Sequence, residues 1–220
     1  MGSSDLAAYH RAVDYLAEMY WRPVYVYFRR KWNLTNEDAK DLTQEFFASV
    51  IEKESLENYS PTRGKFRSYI MVSLNNLVRM QRRGASSQKR GGPWTHSSIE
   101  MAPGIEIPTE GTPEQAFNQE WIQTLLRCAL SELEHEYRHL DRDKAFELLM
   151  LHDIEHPRDA DLSYQALAKR FEISEGDVAN YLYRARHSLR MHVLQLIRET
   201  VSTEADVASE IKELFKSWPW

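Results

Sequence analysis

The chain has 220 residues, 28% of them charged, with a formal net charge of -5; that length supports one large core or two small ones, and the acidic balance speaks against a protein that coats nucleic acid non-specifically. Cys128 is the single cysteine, which excludes an internal disulfide or a thiolate metal cluster and fits a reducing cytoplasm. With no apolar run of about 18 residues and no basic segment leading into an apolar one, neither a membrane span nor a secretory signal is expected.

Apolar residues recur at helical spacing and no run alternates with period two, so the expected fold is all-α. The first helical region spans about Leu6 to Trp32, and Pro23 is expected to kink or divide it. "NLTNEDAKD" then opens a second helix, with Thr35 or Asn36 as cap ahead of Leu42, Phe46, Phe47 and Val50. On that helix Asp38, Asp41, Glu45 and Glu52 fall within a narrow arc. Like charges at this spacing repel by only a few tenths of a kcal/mol per pair. The arc is therefore either an ordinary solvated face or a docking surface for a basic partner.

A third helix begins near Gly64, inside a stretch from Thr62 to Gly92 that gathers Arg63, Lys65, Arg67, Arg79, Arg82, Arg83, Lys89 and Arg90 without one acid. A helical wheel puts Phe66, Ile70, Leu74, Leu77 and Met80 on one face, and Asn75, Asn76, Arg79, Arg82 and Arg83 on the other. Tyr59, Phe66, Tyr69 and Trp94 lie along the same stretch. Base stacking on aromatics combined with phosphate pairing to Arg is how single-stranded nucleic acid is held. A solvated surface usually intersperses Glu among its basic residues, so strand binding is the better reading.

The next thirty or so residues, "RRGASSQKRGGPWTHSSIEMAPGIEIPTEGTP", concentrate Gly, Pro, Ser and Thr and mark a linker. From Pro113 four helices are expected to run to about Val201, followed by a short amphipathic segment from Glu204 to Phe215. The expected domains are 1–90, a linker at 91–113, 114–201, and a C-terminal extension at 202–220.

Within the second domain, "LSYQALAKRFEISEGDVANYLYRARHSLRMHVL" has the pattern of a helix-turn-helix. Ser163 caps a short helix with Leu167 and Phe171 inward, Ala168 permits a close crossing, "EIS" turns, and Ser174 with Asp177 forms a capping-box start. Val178, Leu182, Ala185 and Leu189 then face the core, leaving Asn180, Tyr183, Arg184 and His187 outward. Asn reads adenine and Arg reads guanine or pairs with phosphate, which suits a major groove.

His135 with His139, and His152 with His156, have the spacing of a helical metal pair, but no third ligand accompanies either, so no metal or cofactor is expected. No nucleophile sits beside a base and no Gly-rich loop cradles phosphate. The chain does not read as an enzyme.

With these segments in order, the chain resembles bacterial RNA polymerase sigma factors of the extracytoplasmic-function (ECF) type over about residues 6 to 201. "NEDAKDLTQEFF" is similar to their acidic polymerase-binding helix, "YSPTRGKFRSYIMVSLNNLVRMQRR" to the minus-ten element and "LSYQALAKRFEISEGDVANYLYRARHSLR" to the minus-thirty-five helix-turn-helix. The resemblance implies a sigma-2-like bundle and a sigma-4-like domain joined by a flexible linker, and a cytoplasmic factor that directs promoter-specific initiation. Asp38, Asp41, Gln44 and Glu45 would contact the clamp helices of the beta-prime subunit of core RNA polymerase, with the beta flap as a further contact of the factor. Tyr59, Lys65, Arg67, Asn76, Arg79, Arg82 and Arg83 would hold the melted minus-ten strand of promoter DNA; Asn180, Tyr183, Arg184 and Arg186 would engage minus-thirty-five duplex.

Lys40 stands where members often carry an acid, and Ala179 and Tyr181 where many carry Arg. "DLTQEFFA", "GKFRSYI" and "QKRGG" look most like members associated with Ser/Thr protein kinases, which makes Thr43 and Thr62 candidate phosphate acceptors and a kinase or an anti-sigma factor a candidate partner. Two other classes remain in view, a stand-alone helix-turn-helix repressor and a protein-only adaptor of sigma-like fold.

Overall fold

A computed structural model describes residues 3–52, 65–85, 111–156, 162–201 and 203–214. Tyr59, Thr62, Trp94 and the Gly/Pro-rich stretch 86–110 lie outside them. The order is α1 (Ser3–Trp32), α2 (Asn36–Glu52), α3 (Phe66–Ala85), α4 (Pro113–His139), α5 (Asp143–Leu149), a π-helical turn (Met150–Glu155), α6 (Tyr164–Phe171), α7 (Glu175–Glu199) and α8 (Glu204–Leu214). The described residues contain no strand, as the all-α expectation requires.

Two compact units divide the chain, Met1–Ile122 and Gln123–Trp220. The division falls inside α4, so residues 114–122, which composition groups with the second domain, fold with the first.

In the first unit the second half of α1 is the central element. Met19, Tyr20, Val24, Tyr25, Val26, Tyr27 and Phe28 are all buried, and a helix apolar all round has to be covered on every side. Pro23 lies within this stretch without dividing the helix. From α2, Phe46, Phe47 and Val50 pack inward, and Phe47 stacks on Trp21 with ring centroids 5.5 Å apart. From α3 come Ile70, Leu74 and Val78. The start of α4 adds Ala116, Phe117 and Trp121, with Phe117 edge-on to Tyr27 at 6.0 Å and Trp121 tilted against Tyr20 at 6.1 Å.

The second unit is built on α7. Leu133, Tyr137, Ala145, Leu149 and Ala185 form one cluster, and Leu148, Leu167, Ala168, Val178 and Leu182 another. Ser163 caps α6 by accepting from Ala166 N at 3.2 Å. Glu172, left-handed with φ 54°, ends α6 and starts the turn. Ser174 and Asp177 form the reciprocal capping box of α7, with Asp177 N donating to Ser174 Oγ at 3.0 Å and Ser174 N to Asp177 Oδ2 at 3.2 Å. Two orphan amides are satisfied at once, which fixes where α7 begins. α8 packs on α7, burying Val207 and Glu210.

Candidate nucleic-acid interface

Thr35 is the residue that caps α2. It accepts from Asp38 N at 3.2 Å and donates to Asp38 Oδ2 at 2.7 Å. Asp38, Asp41, Gln44 and Glu45 are all exposed, so α2 turns an acidic arc outward while Ala39, Phe46 and Val50 anchor its other side. Lys40 leans 4.0 Å from Glu37 Oε1, away from that arc. Thr43 belongs to the core: its side chain is buried and its hydroxyl donates to Ala39 O at 2.6 Å. The folded helix therefore withholds Thr43 from a kinase.

α3 is rotated from the face its own apolar pattern defines. Arg67, Ile70, Leu74 and Val78 are buried, whereas Ser68, Val72, Asn76, Arg79 and Met80 are exposed. Met80, expected inward, is 62% exposed, and Arg67, expected to hold DNA, is 1% exposed. The cause lies on α4: the Arg67 guanidinium donates to Asn118 Oδ1 and sits 5.8 Å over the Trp121 ring. Asn75 is likewise held, donating to Tyr27 Oη at 3.0 Å. Lys65 is half-buried at the helix start, where its carbonyl accepts from Ser68 N and Tyr69 N. Asn76 and Arg79 form the outward donor pair, and Arg82 and Arg83 follow in the last turns of α3.

On α7, Asn180, Tyr183, Arg184 and His187 are exposed at i, i+3, i+4 and i+7, with Tyr183 71% exposed. They share one stripe opposite Val178, Leu182 and Ala185. Arg186 does not join it. Its Nε and Nη2 reach Asp153 Oδ2 at 2.6 Å and Oδ1 at 2.8 Å, a bidentate fork. That bond holds the guanidinium pKa above its usual value against the opposing effect of burial. For Asp153, burial alone would raise the pKa, but Arg186 and His152 outweigh it and hold the carboxyl below the ordinary aspartate value. Arg186 pins the π-helical turn to α7.

The turn also separates one histidine pair. His152 Nδ1 lies 2.6 Å from Asp153 Oδ1, while His156 is beyond the helix at φ -132°. His135 and His139 keep their α-helical spacing, with Nε2 atoms 3.2 Å apart.

The Asp177 carboxyl is also held low, by hydrogen bonds from the Ser174 hydroxyl and then its amide. A carboxylate with a depressed folded pKa stabilises the fold above its unfolded value of about 3.9, and that contribution disappears as pH falls through the folded value. The second unit is expected to lose stability below about pH 4, and Asp153→Asn or Asp177→Asn to flatten the loss. Thermal melts from pH 6 to pH 3 measure it.

Residues 16–88 match the family model described as Sigma-70 region 2. The match supports a sigma-factor family member. No curated protein and no solved structure matches the chain. Region 2 spans most of α1, all of α2 and α3, and stops short of α4. Both the acidic face of α2 and the exposed face of α3 thus lie in the matched residues. A region 2 implies binding to core RNA polymerase and promoter DNA, and hence a part in promoter recognition and transcription initiation. Among the described residues no helix is long and apolar enough to cross a membrane.

Proposed function

We propose that the chain is a sigma factor of the ECF type that bridges core RNA polymerase and promoter DNA. Polymerase docks on Asp38, Asp41, Gln44 and Glu45. The melted minus-ten strand lies along Asn76 and Arg79 and continues over Arg82 and Arg83. Asn180, Tyr183 and Arg184 enter the major groove of the minus-thirty-five element, the helix-turn-helix being α6, residues 172–174 and α7.

The observation that carries this reading is the region 2 match over residues 16–88, on which one exposed face is acidic and the next helix has no acid at all. A face rich in carboxylates repels phosphate and attracts a basic protein; an acid-free face with Asn and Arg does the reverse. One chain with both faces is equipped to join a protein to a nucleic acid. The α7 stripe adds a second DNA-facing set, with amide and guanidinium groups of the kind that read base edges.

A pull-down with core polymerase followed by run-off transcription tests the proposal, and no association with polymerase would sink it. Replacing Arg79 and Arg82 with Ala is expected to abolish promoter opening, followed by permanganate reactivity of unpaired thymines, while polymerase binding stays intact. Loss of both together would refute the division of labour between α2 and α3. Control by a Ser/Thr kinase belongs to this reading with Thr62 as acceptor, since Thr43 is buried; unchanged polymerase affinity after kinase treatment would remove it.

A further inference from the structure

The start of α4 is fastened to the first unit by an unusual set of contacts. Glu120, 1% exposed, pairs with Arg22. Glu114 Oε1 accepts from Lys31 Nζ at 2.8 Å and from Tyr27 Oη at 3.2 Å. Arg30 Nη2 donates to Gly111 O at 2.6 Å. Asn118 takes the buried guanidinium of Arg67. Four cations of α1 and α3 thus converge on eleven residues that carry two carboxylates. The Lys31 bond is the first cause of the depressed Glu114 pKa.

Beside the buried Ala116, Phe117 and Trp121, the polar share of this interface is large for permanent core. Glu120 is buried while the Arg22 side chain is 35% exposed, and a charge pair so placed gains little over water, because desolvation offsets the attraction. The Trp121 Nε1 is buried with no hydrogen-bond partner, so an indole donor that water would satisfy goes unmet. The Lys31–Glu114 pair is exposed on both sides and holds weakly. Every polar group in the contact has an equivalent partner in solvent once the contact opens.

We propose that residues 111–121 are a displaceable anionic strap, and that Arg67 joins single-strand DNA binding only when the strap has left. The proposal rests on the reading of α3 as a strand-holding helix. Strap and DNA backbone compete for one guanidinium: Asn118 offers it a neutral oxygen, a phosphate offers a charged one, and the charge-assisted bond is the stronger. The resting chain presents Asn76 and Arg79, and strap release adds Arg67 from the buried side of the same helix.

The test uses the full chain, a fluorescein-labelled thymine-rich single strand, and two releasing variants, Phe117→Ala, which keeps the charge, and Glu114→Gln with Glu120→Gln. Both are expected to bind the strand about tenfold more tightly than the parent, the factor one charge-assisted hydrogen bond carries. The slope of log affinity against log salt steepens by about 0.7, as one added phosphate contact to a single strand requires. Hydrogen exchange rises at residues 114–121 while α1 stays protected, and adding Arg67→Ala to either variant removes the gain.

If the parent binds the strand and neither variant binds it better, the strap withholds nothing: the inference falls and the strand-holding reading stands. If no form binds the strand, both fall. Loss of protection across α1 in both variants would make the strap an indivisible part of the core and overturn its displacement. A gain confined to the Glu→Gln variant, with the Phe117→Ala strap released but affinity unchanged, would reduce the effect to net charge and also overturn the inference.

Discussion

Leu182→Ala is expected to cost the second unit about 2–5 kcal/mol, whereas Tyr183→Ala, one position along, stays within about 0.5 kcal/mol. Leu182 is fully buried and sits in one cluster with Leu148, Leu167, Ala168 and Val178. Its truncation removes apolar transfer energy and leaves a cavity between α6 and α7, whose capped ends resist collapse into the gap. Tyr183 is 71% exposed. Hydrogen exchange at the amides of α6 and α7 reads the two effects within this unit alone. The two variants then part again in DNA binding: Leu182→Ala loses it with the fold, while Tyr183→Ala loses affinity for upstream duplex with the fold unchanged. Equal stability of both variants would mean that the buried stripe of α7 is misassigned.

The contrast between those neighbours was legible in the sequence because everything that sets it is local. Ser163, the "EIS" turn and the Ser174–Asp177 box fix the start and end of each helix within a few residues, and once α7 begins at Glu175 the 3.6-residue period assigns Val178, Leu182 and Ala185 inward and Asn180, Tyr183 and Arg184 outward. The acidic arc of α2 was legible for the same reason, starting from its Thr35 cap.

What stayed hidden depended on partners far along the chain or on a change of helical period. A wheel drawn for α3 cannot know that Asn118 and Trp121, some fifty residues on, draw Arg67 inward and rotate Met80 out. Arg186 looks like a duplex contact until the π-helical turn brings Asp153 to its fork, and that turn is wider than the α-helical spacing assumed for His152 and His156. Thr43 is the exception, since the helical period already sets it opposite the acidic arc, on the face of Ala39, Phe46, Phe47 and Val50 that α2 buries against α1. In the folded chain Arg67, Arg186 and Thr43 all make structural contacts, although each is a polar residue of a kind that also serves at a surface.

Reversing the charge at two positions of α2, Asp41→Lys with Glu45→Lys, is expected to weaken association with core polymerase by about a hundredfold or more, since like charges juxtaposed at an interface cost several kcal/mol. The positions are chosen by geometry. Asp41 and Glu45 are one turn apart and exposed, where substitutions perturb a fold far less than in the core. Asp38 is left alone because its carboxylate accepts from the hydroxyl of Thr35, the residue that caps α2; removing that acceptor would confound docking with a disturbed helix cap. Single-strand binding by α3 should rise slightly or stay level, because the change adds positive charge without touching Asn76 or Arg79. Transcription then fails for want of polymerase and not for want of DNA, the opposite phenotype from Arg79→Ala with Arg82→Ala. High salt should narrow the difference between the reversed and parent chains, because screening at about 1 M ionic strength shortens the reach of exposed charges to about 3 Å. Unchanged affinity for core polymerase at low salt would move the docking surface off α2 altogether.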